Sequence, residues 1–164
     1  MKKYAIELKW GMIFVIVSLI WMYFEKFMGW HGENIASHAI YTNFFAIVAL
    51  FIYVLALLDK RKNYYGGAMT WMQGFLTGLI ISVVVAVLSP LSQYITHQWV
   101  TPEYFPNIIR YSVESGKLSQ EEAESYFNLG SYILQSAIFA LIVGAVTSAV
   151  VAFLVRKKIV QVGS

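Results

Sequence analysis

Clusters of charged residues divide the sequence into four long stretches that carry almost no charge. Uncharged runs cover 39–58, 71–91 and 132–155, and a shorter run covers 10–24. A bilayer core about 30 Å thick is crossed by about 20 residues of α-helix, which rises 1.5 Å per residue. The three longer runs meet this length. The first meets it when extended to 9–28, with Lys9 and Glu25 at the two interfaces and their side chains reaching outward.

The composition excludes several classes of protein. Hydrophobic residues make up 59% of the chain and charged residues 13%, whereas a typical soluble domain carries roughly 25% charged residues. A soluble enzyme and a disordered tail are therefore excluded. Cysteine is absent, which excludes thiolate catalysis, disulfides and cysteine-ligated metal.

Runs of this length favour helices over barrel strands of about ten residues, because backbone groups in lipid must bond within the protein. We predict an all-α integral membrane four-helix bundle, a single domain over 1–164, with spans at about 9–28, 39–58, 70–94 and 131–155. The segment 95–130 is predicted to be an extracytoplasmic helical loop between the third and fourth helices. No small-residue cleavage site follows the first run, which favours an uncleaved anchor over a signal peptide.

The distribution of positive charge predicts the orientation. Nine of the twelve Lys and Arg residues lie at the two termini and in the 59–70 loop: Lys2, Lys3, Lys9, Lys60, Arg61, Lys62, Arg156, Lys157 and Lys158. The positive-inside rule then places both termini in the cytoplasm. The basic balance of the chain thus reflects topology, and we expect no nucleic-acid partner.

The outer loop carries its own helix signals. Residues 107–115 favour a short helix ended by Gly116, and Ser119 with Glu122 forms a capping box for a second helix through Phe127. One interpretation is a helical hairpin lying on the membrane surface, and the other is a lid that binds a partner or ligand.

Small residues recur at four-residue intervals in the third and fourth helices, so each helix presents one continuous small-residue face. The two rows are Gly74, Gly78, Ser82 and Ala86, and Ala140, Gly144, Ser148 and Ala152. Such rows allow the close backbone approach that associates helices in lipid. They favour packing of the two helices within the chain, and a homodimer seam is the alternative.

Polar side chains within the spans concentrate toward the outer side. Glu25, Asn43, Gln93 and Gln135 are candidate ligand-binding residues, because ionisable groups at membrane depth are functional candidates. The alternative is that they mark helix ends at the interface. The histidines His31, His38 and His97, with Glu33 and Glu25, have metal-ligating side chains. Their spacing matches no established motif, so we predict no metal and no cofactor.

The sequence contains no recognised catalytic motif, and we expect no enzyme. Ser82 or Ser148 would need a base to act as a nucleophile, and no histidine lies at their depth. Ser82 and Ser148 belong to the small-residue rows, and this packing role explains their presence better than catalysis does.

Several stretches together resemble a known bacterial family. They are GGAMTWMQGFLTGLIIS at 66–82, PEYF at 102–105, EEA at 121–123 and GAVTSAVVA at 144–152, before the basic 156–158. With length and topology, they resemble domain-of-unknown-function family forty-one ninety-nine, small integral membrane proteins of bacteria. The resemblance implies a bacterial cytoplasmic (inner) membrane location. The family has no established activity, so no catalytic residue is implied.

Three functional hypotheses remain open at this point. The first is a non-catalytic membrane component that acts through protein or lipid contacts, with the bilayer and a homo-oligomer or membrane-protein partner around it. The second is a small transporter or ligand-binding protein that uses the outer polar residues. An enzyme is the least favoured.

Overall fold

The computed structural model describes residues 3–157. Within this range the chain forms seven α-helices and no strand, apart from a single antiparallel bridge between Met69 and Lys157. The helices are α1 (Ala5–Phe27), α2 (His38–Tyr41), α3 (Phe45–Asn63), α4 (Trp71–Ile95), α5 (Tyr104–Glu114), α6 (Gln120–Tyr126) and α7 (Leu129–Val155). Short 3-10 turns at Ile35–Ser37 and Thr42–Phe44 flank α2, and a π-helical turn at Thr96–Val100 extends α4.

Four helical segments are long and apolar enough to cross a membrane: Ala5–Phe27, Ile35–Asn63, Trp71–Val100 and Leu129–Val155. This confirms the predicted all-α membrane fold. Several segments extend beyond the predicted ends. The helix α1 continues through Glu7, whose charge is paired inside the protein. That residues 1–164 form one domain stays a prediction.

By packing, the chain divides into two compact units. Among the described residues, unit 1 comprises 3–14, 47–86 and 139–157, and unit 2 comprises 15–46 and 87–138. The core of unit 1 is a cluster of buried side chains from α3, α4 and α7, with Met69 from the connection before α4: Tyr53, Ala56, Leu57, Met69, Ile81, Val151, Ala152 and Val155. In unit 2 a smaller apolar cluster joins Ile35 with Tyr104 and Ile108 of α5.

The small-residue rows of α4 and α7 face each other inside unit 1. A Cβ atom added at Gly78 would lie 2.5 Å from the Cβ of Ser148, and one added at Gly144 would lie 2.7 Å from the Cβ of Ser82. Both distances are under 3.0 Å, which real Cβ contacts essentially never reach. The two backbones therefore approach as closely as glycine allows, and these positions pack within the chain.

Hydroxyl groups in this contact are satisfied inside the protein. Ser82 Oγ donates to the Gly78 carbonyl at 2.9 Å and lies 2.7 Å from the Tyr53 hydroxyl. Ser148 Oγ donates to the Gly144 carbonyl at 2.5 Å. A buried hydroxyl without a partner would cost free energy, so these bonds permit serine at the tightest part of the contact.

At the other end of unit 1, a buried ion pair joins α1 to α3. Lys60 Nζ lies 2.7 Å from Glu7 Oε1, and both side chains are almost fully buried. The same ammonium donates to the Lys3 carbonyl at 2.8 Å and lies 3.8 Å from the centre of the Tyr64 ring. The lysine charge is thus matched by a carboxylate, a carbonyl and an aromatic face, which offset its desolvation.

The glycine contact generates a stability prediction. Gly144→Ala should lower the free energy of unfolding by about 1–3 kcal/mol, since the new methyl group overlaps Ser82. Gly130→Ala in the same helix is the control, because its nearest neighbour to an added Cβ is Asn128 Oδ1 at 3.4 Å. We expect the control to change stability by less than about 1 kcal/mol. Reversible unfolding in mixed micelles measures both, and equal effects would contradict the packing.

The ion pair generates a second prediction. Lys60→Met should cost about 3–5 kcal/mol of stability, because it leaves the Glu7 carboxylate buried and unpaired. Glu7→Gln combined with Lys60→Met should recover most of that loss. Lys9→Met is the matched control: Lys9 pairs with Asp59 but is 51% exposed, so its loss should cost less than about 1 kcal/mol. The same unfolding assay compares the three variants.

Candidate ligand-binding site

The candidate site of unit 2 is assembled around one turn of the chain. The helix α1 ends at Phe27, and Gly29 adopts a φ of 75°, a left-handed conformation that glycine tolerates and that lets the chain reverse. The main-chain amide of Asn34 closes the turn by donating to the Gly29 carbonyl at 2.8 Å. His31 lies in this turn and His38 begins α2. The turn therefore brings both histidines back to the end of α1, where Glu25 lies.

The carboxylate of Glu25 is the centre of the site. Its Oε2 atom lies 3.0 Å from His31 Nε2 and 3.5 Å from His38 Nδ1. Its Oε1 atom accepts a hydrogen bond of 2.5 Å from the indole nitrogen of Trp21, one turn earlier on α1. Glu25 is 0% exposed and His31 3%, while the His38 side chain is 13% exposed. We call Glu25, His31 and His38 the Glu25 triad.

An aromatic side chain from α5 covers the triad. The ring of Tyr104 lies 5.1 Å from both the His31 and the His38 rings, and its hydroxyl lies 3.1 Å from that of Tyr132. Burial, together with the neighbouring Tyr132, raises the pKa of the Tyr104 phenol far above its ordinary value. Tyr104 therefore stays a neutral hydroxyl at any physiological pH and adds no charge to the site.

The third histidine, His97, also lies near Tyr104. His97 Nε2 is 3.1 Å from Gln93 Oε1, and its ring stacks on Phe105 at 4.1 Å between centroids. The rings of His97 and Tyr104 are 5.6 Å apart. His97 is buried, but it does not belong to the group of ligand atoms that surrounds Glu25.

The structure brings together only part of the predicted polar set. Glu25 is buried in the triad, and Gln93 contacts His97. Asn43 is exposed and donates to the Ala39 carbonyl at 2.6 Å, and Gln135 is exposed on α7. Among the described residues, no hydrogen bond or ion pair joins either amide to Glu25. The ligand-binding role of this set stays a prediction.

One expectation about Glu25 is wrong. The sequence predicts a side chain that reaches outward to the interface, whereas the carboxylate is fully buried and turned toward the two histidines. The signal for this was the short separation of Glu25, His31 and His38 around a turn containing glycine. The exposed Glu33 takes no part in the triad.

The chemistry available here is that of one carboxylate and two imidazoles in a buried setting. Within residues 3–157, the Glu25 triad is the one place where three metal-ligating side chains meet, with one ligand atom from each lying within 4.8 Å of the others. Such a group can bind a proton or a cation, because an uncompensated buried carboxylate is costly.

The fold and this site together define a small helical membrane protein with a buried polar centre. The family described as "Protein of unknown function (DUF4199)" matches residues 9–157, and the chain belongs to that family. The family expected from the sequence is thereby confirmed. No curated protein and no solved structure matches the chain.

Proposed function

We propose that this protein is a non-catalytic, multi-pass component of a bacterial cytoplasmic membrane that acts through contact with a partner protein. The contact surface in this proposal is the exposed face of α6, which the segment 101–128 carries. The observation that carries it is the exposed face of α6, which is acidic, contains an exposed aromatic ring and is held in a fixed orientation.

The segment is anchored by α5 and by the start of α6. In α5, Tyr104 and Ile108 are buried against Ile35. At the start of α6, the Ser119 hydroxyl accepts from the Glu122 amide at 3.3 Å, and the Ser119 amide donates to Glu122 Oε2 at 2.8 Å. This is the capping box expected from the sequence. The Ser119 amide also lowers the pKa of Glu122, which keeps the cap charged at neutral pH.

The exposed face of α6 has a shape and charge suited to a protein partner. An open depression of about 550 Å³ is lined by Leu118, Glu121, Glu122, Ser125, Tyr126 and Ser131. Tyr126 is 52% exposed, and tyrosine is enriched where protein interfaces concentrate binding energy. The carboxylates around it favour a partner that presents Lys or Arg, since complementary charge guides association.

The absence of catalysis is part of the proposal, and the packing of two serines supports it. Ser82 and Ser148 are the hydroxyls that the sequence offered as nucleophiles. Both lie in the α4–α7 contact, where they donate to main-chain carbonyls of their own helices. The same contact occupies the small-residue faces of α4 and α7. Partner binding is therefore assigned to the exposed face of α6 and not to those faces.

The partner contact can be tested by reversing charge on α6. A photo-crosslinking residue at Tyr126 should capture one discrete species in native membranes. Glu121→Lys with Glu124→Lys should weaken that capture at least about tenfold, because like charges then oppose each other. Glu103→Lys with Glu114→Lys makes the same change in net charge at exposed positions outside α6 and should leave capture intact. Equal loss in both double variants would contradict the proposal, and a captured second copy would identify a homo-oligomer.

The proposed orientation places both termini in the cytoplasm, because positive charge is concentrated there and in the 59–70 loop. The chain lacks cysteine, so single cysteines report position without background. In spheroplasts, a membrane-impermeant maleimide should label Lys117→Cys and should label Lys62→Cys only after permeabilisation. Both side chains are exposed, so the opposite pattern would reverse the orientation.

A second candidate function is a small transporter or ligand-binding membrane protein. The burial of Glu25 with His31 and His38 favours it, because structural packing alone does not call for this group. The two candidates concern different surfaces of unit 2 and can be tested separately.

A further inference from the structure

We propose that the Glu25 triad is a binding site for one divalent first-row transition-metal cation, with zinc as the representative ion. The inference rests on the second candidate function, that the buried group takes a ligand. It is independent of the partner contact assigned to α6.

The spacing of the donor atoms fits such an ion. Zinc binds imidazole nitrogen and carboxylate oxygen at about 2.0–2.2 Å, which separates two ligand atoms of a tetrahedral site by about 3.3 Å. Glu25 Oε2 lies 3.0 Å from His31 Nε2 and 3.5 Å from His38 Nδ1. The remaining pair of ligand atoms, one from each histidine, lies within 4.8 Å.

An orphaned buried atom points into the same space. His38 Nδ1 is buried and has no hydrogen-bond partner among the described residues, although it lies near Glu25 Oε2. A nitrogen lone pair in this position is suited to metal ligation. The neighbouring Lys26 does not pair with the Glu25 carboxylate, because its Nζ atom donates to the Val100 carbonyl at 2.6 Å. A cation between the three side chains would therefore lie beside a buried carboxylate and next to a nitrogen that has no hydrogen-bond partner among the described residues.

The groups around the triad are arranged as metal-site supports are. Trp21 donates to Glu25 Oε1 and leaves Oε2 directed at the histidines. Asn107 of α5 donates to the His31 carbonyl at 2.9 Å and so fixes the turn that carries this imidazole. Hydrogen bonds of this kind orient metal ligands and contribute to affinity. The side chain of His38, which is 13% exposed, is the member of the triad that solvent reaches most readily.

The donor set also selects the class of ion. Two imidazoles and one carboxylate suit zinc, iron, nickel and copper, whereas magnesium and calcium prefer oxygen ligands. Three protein ligands leave coordination positions for water or for a further group. The site is thus suited to a transition metal held with an open position.

The test measures Zn²⁺ binding to the full-length, tag-free, EDTA-treated protein in detergent, against a chromophoric competitor. We expect one Zn²⁺ per chain, which excess Mg²⁺ does not displace. Glu25→Gln and His31→Gln should each weaken binding by about 100-fold, and Trp21→Phe by about 10–100-fold. His97→Gln is the matched control, because His97 is also a buried histidine of unit 2 but lies outside the triad. It should bind Zn²⁺ like the wild type.

A second measurement covers variants that fail to fold. Co²⁺ added to the wild type should produce the visible absorption of a nitrogen- and oxygen-ligated site, and His38→Gln, altered at the most exposed member of the triad, should lose it. Absence of stoichiometric Zn²⁺ and of the Co²⁺ spectrum would overturn the proposal and assign the triad to a histidine–carboxylate ion pair. Equal loss of Zn²⁺ in His97→Gln would also overturn it. Metal binding with unchanged capture at Tyr126, or the reverse, separates this inference from the partner contact.

Discussion

A polar side chain placed inside an apolar span is stabilised by a partner within the protein, because hydrocarbon offers none. Ser82 has such partners in its own helix and in Tyr53. Glu7 has one in Lys60, brought from another helix. With only 13% charged residues in the chain, each buried polar group restricts which helices can be neighbours, and the fold follows from these pairings as much as from apolar contact.

Close packing in unit 1 follows from the same constraint. Lipid chains are as apolar as leucine, so helices gain little by hiding apolar side chains from lipid. They gain from close approach, which Gly78 and Gly144 permit by lacking a Cβ. The serines opposite them fill the space left by glycine and bond backward to main-chain carbonyls. Serine thus meets two requirements at once, because its side chain is small and its hydroxyl bonds to a carbonyl of its own helix.

The sequence predicted the features that depend on local order along the chain. Uncharged runs gave the spans, four-residue spacing gave the faces of α4 and α7, and the Ser119–Glu122 pair gave the cap of α6. The sequence placed Glu25, His31 and His38 among possible metal-ligating residues but did not predict that these three meet, because their contact depends on a reversal at Gly29, where the direction of the chain is set by φ and not by composition. Glu25 was expected at an interface because the length of an uncharged run shows where a span ends. It does not show which residues fold back over that end.

Among residues 3–157, the carboxylates of Glu7 and Glu25 are fully buried, and they have different partners. Glu7 faces a lysine, and that ammonium also contacts the Lys3 carbonyl and the Tyr64 ring. The protein thus supplies a cationic side chain as the partner of this carboxylate. Glu25 faces two imidazoles, whose charge depends on protonation, and Lys26 is engaged elsewhere. A buried carboxylate whose partners are charged only when they are protonated is stabilised by a bound cation. Within residues 3–157, the Glu25 triad is therefore the group best suited to bind one.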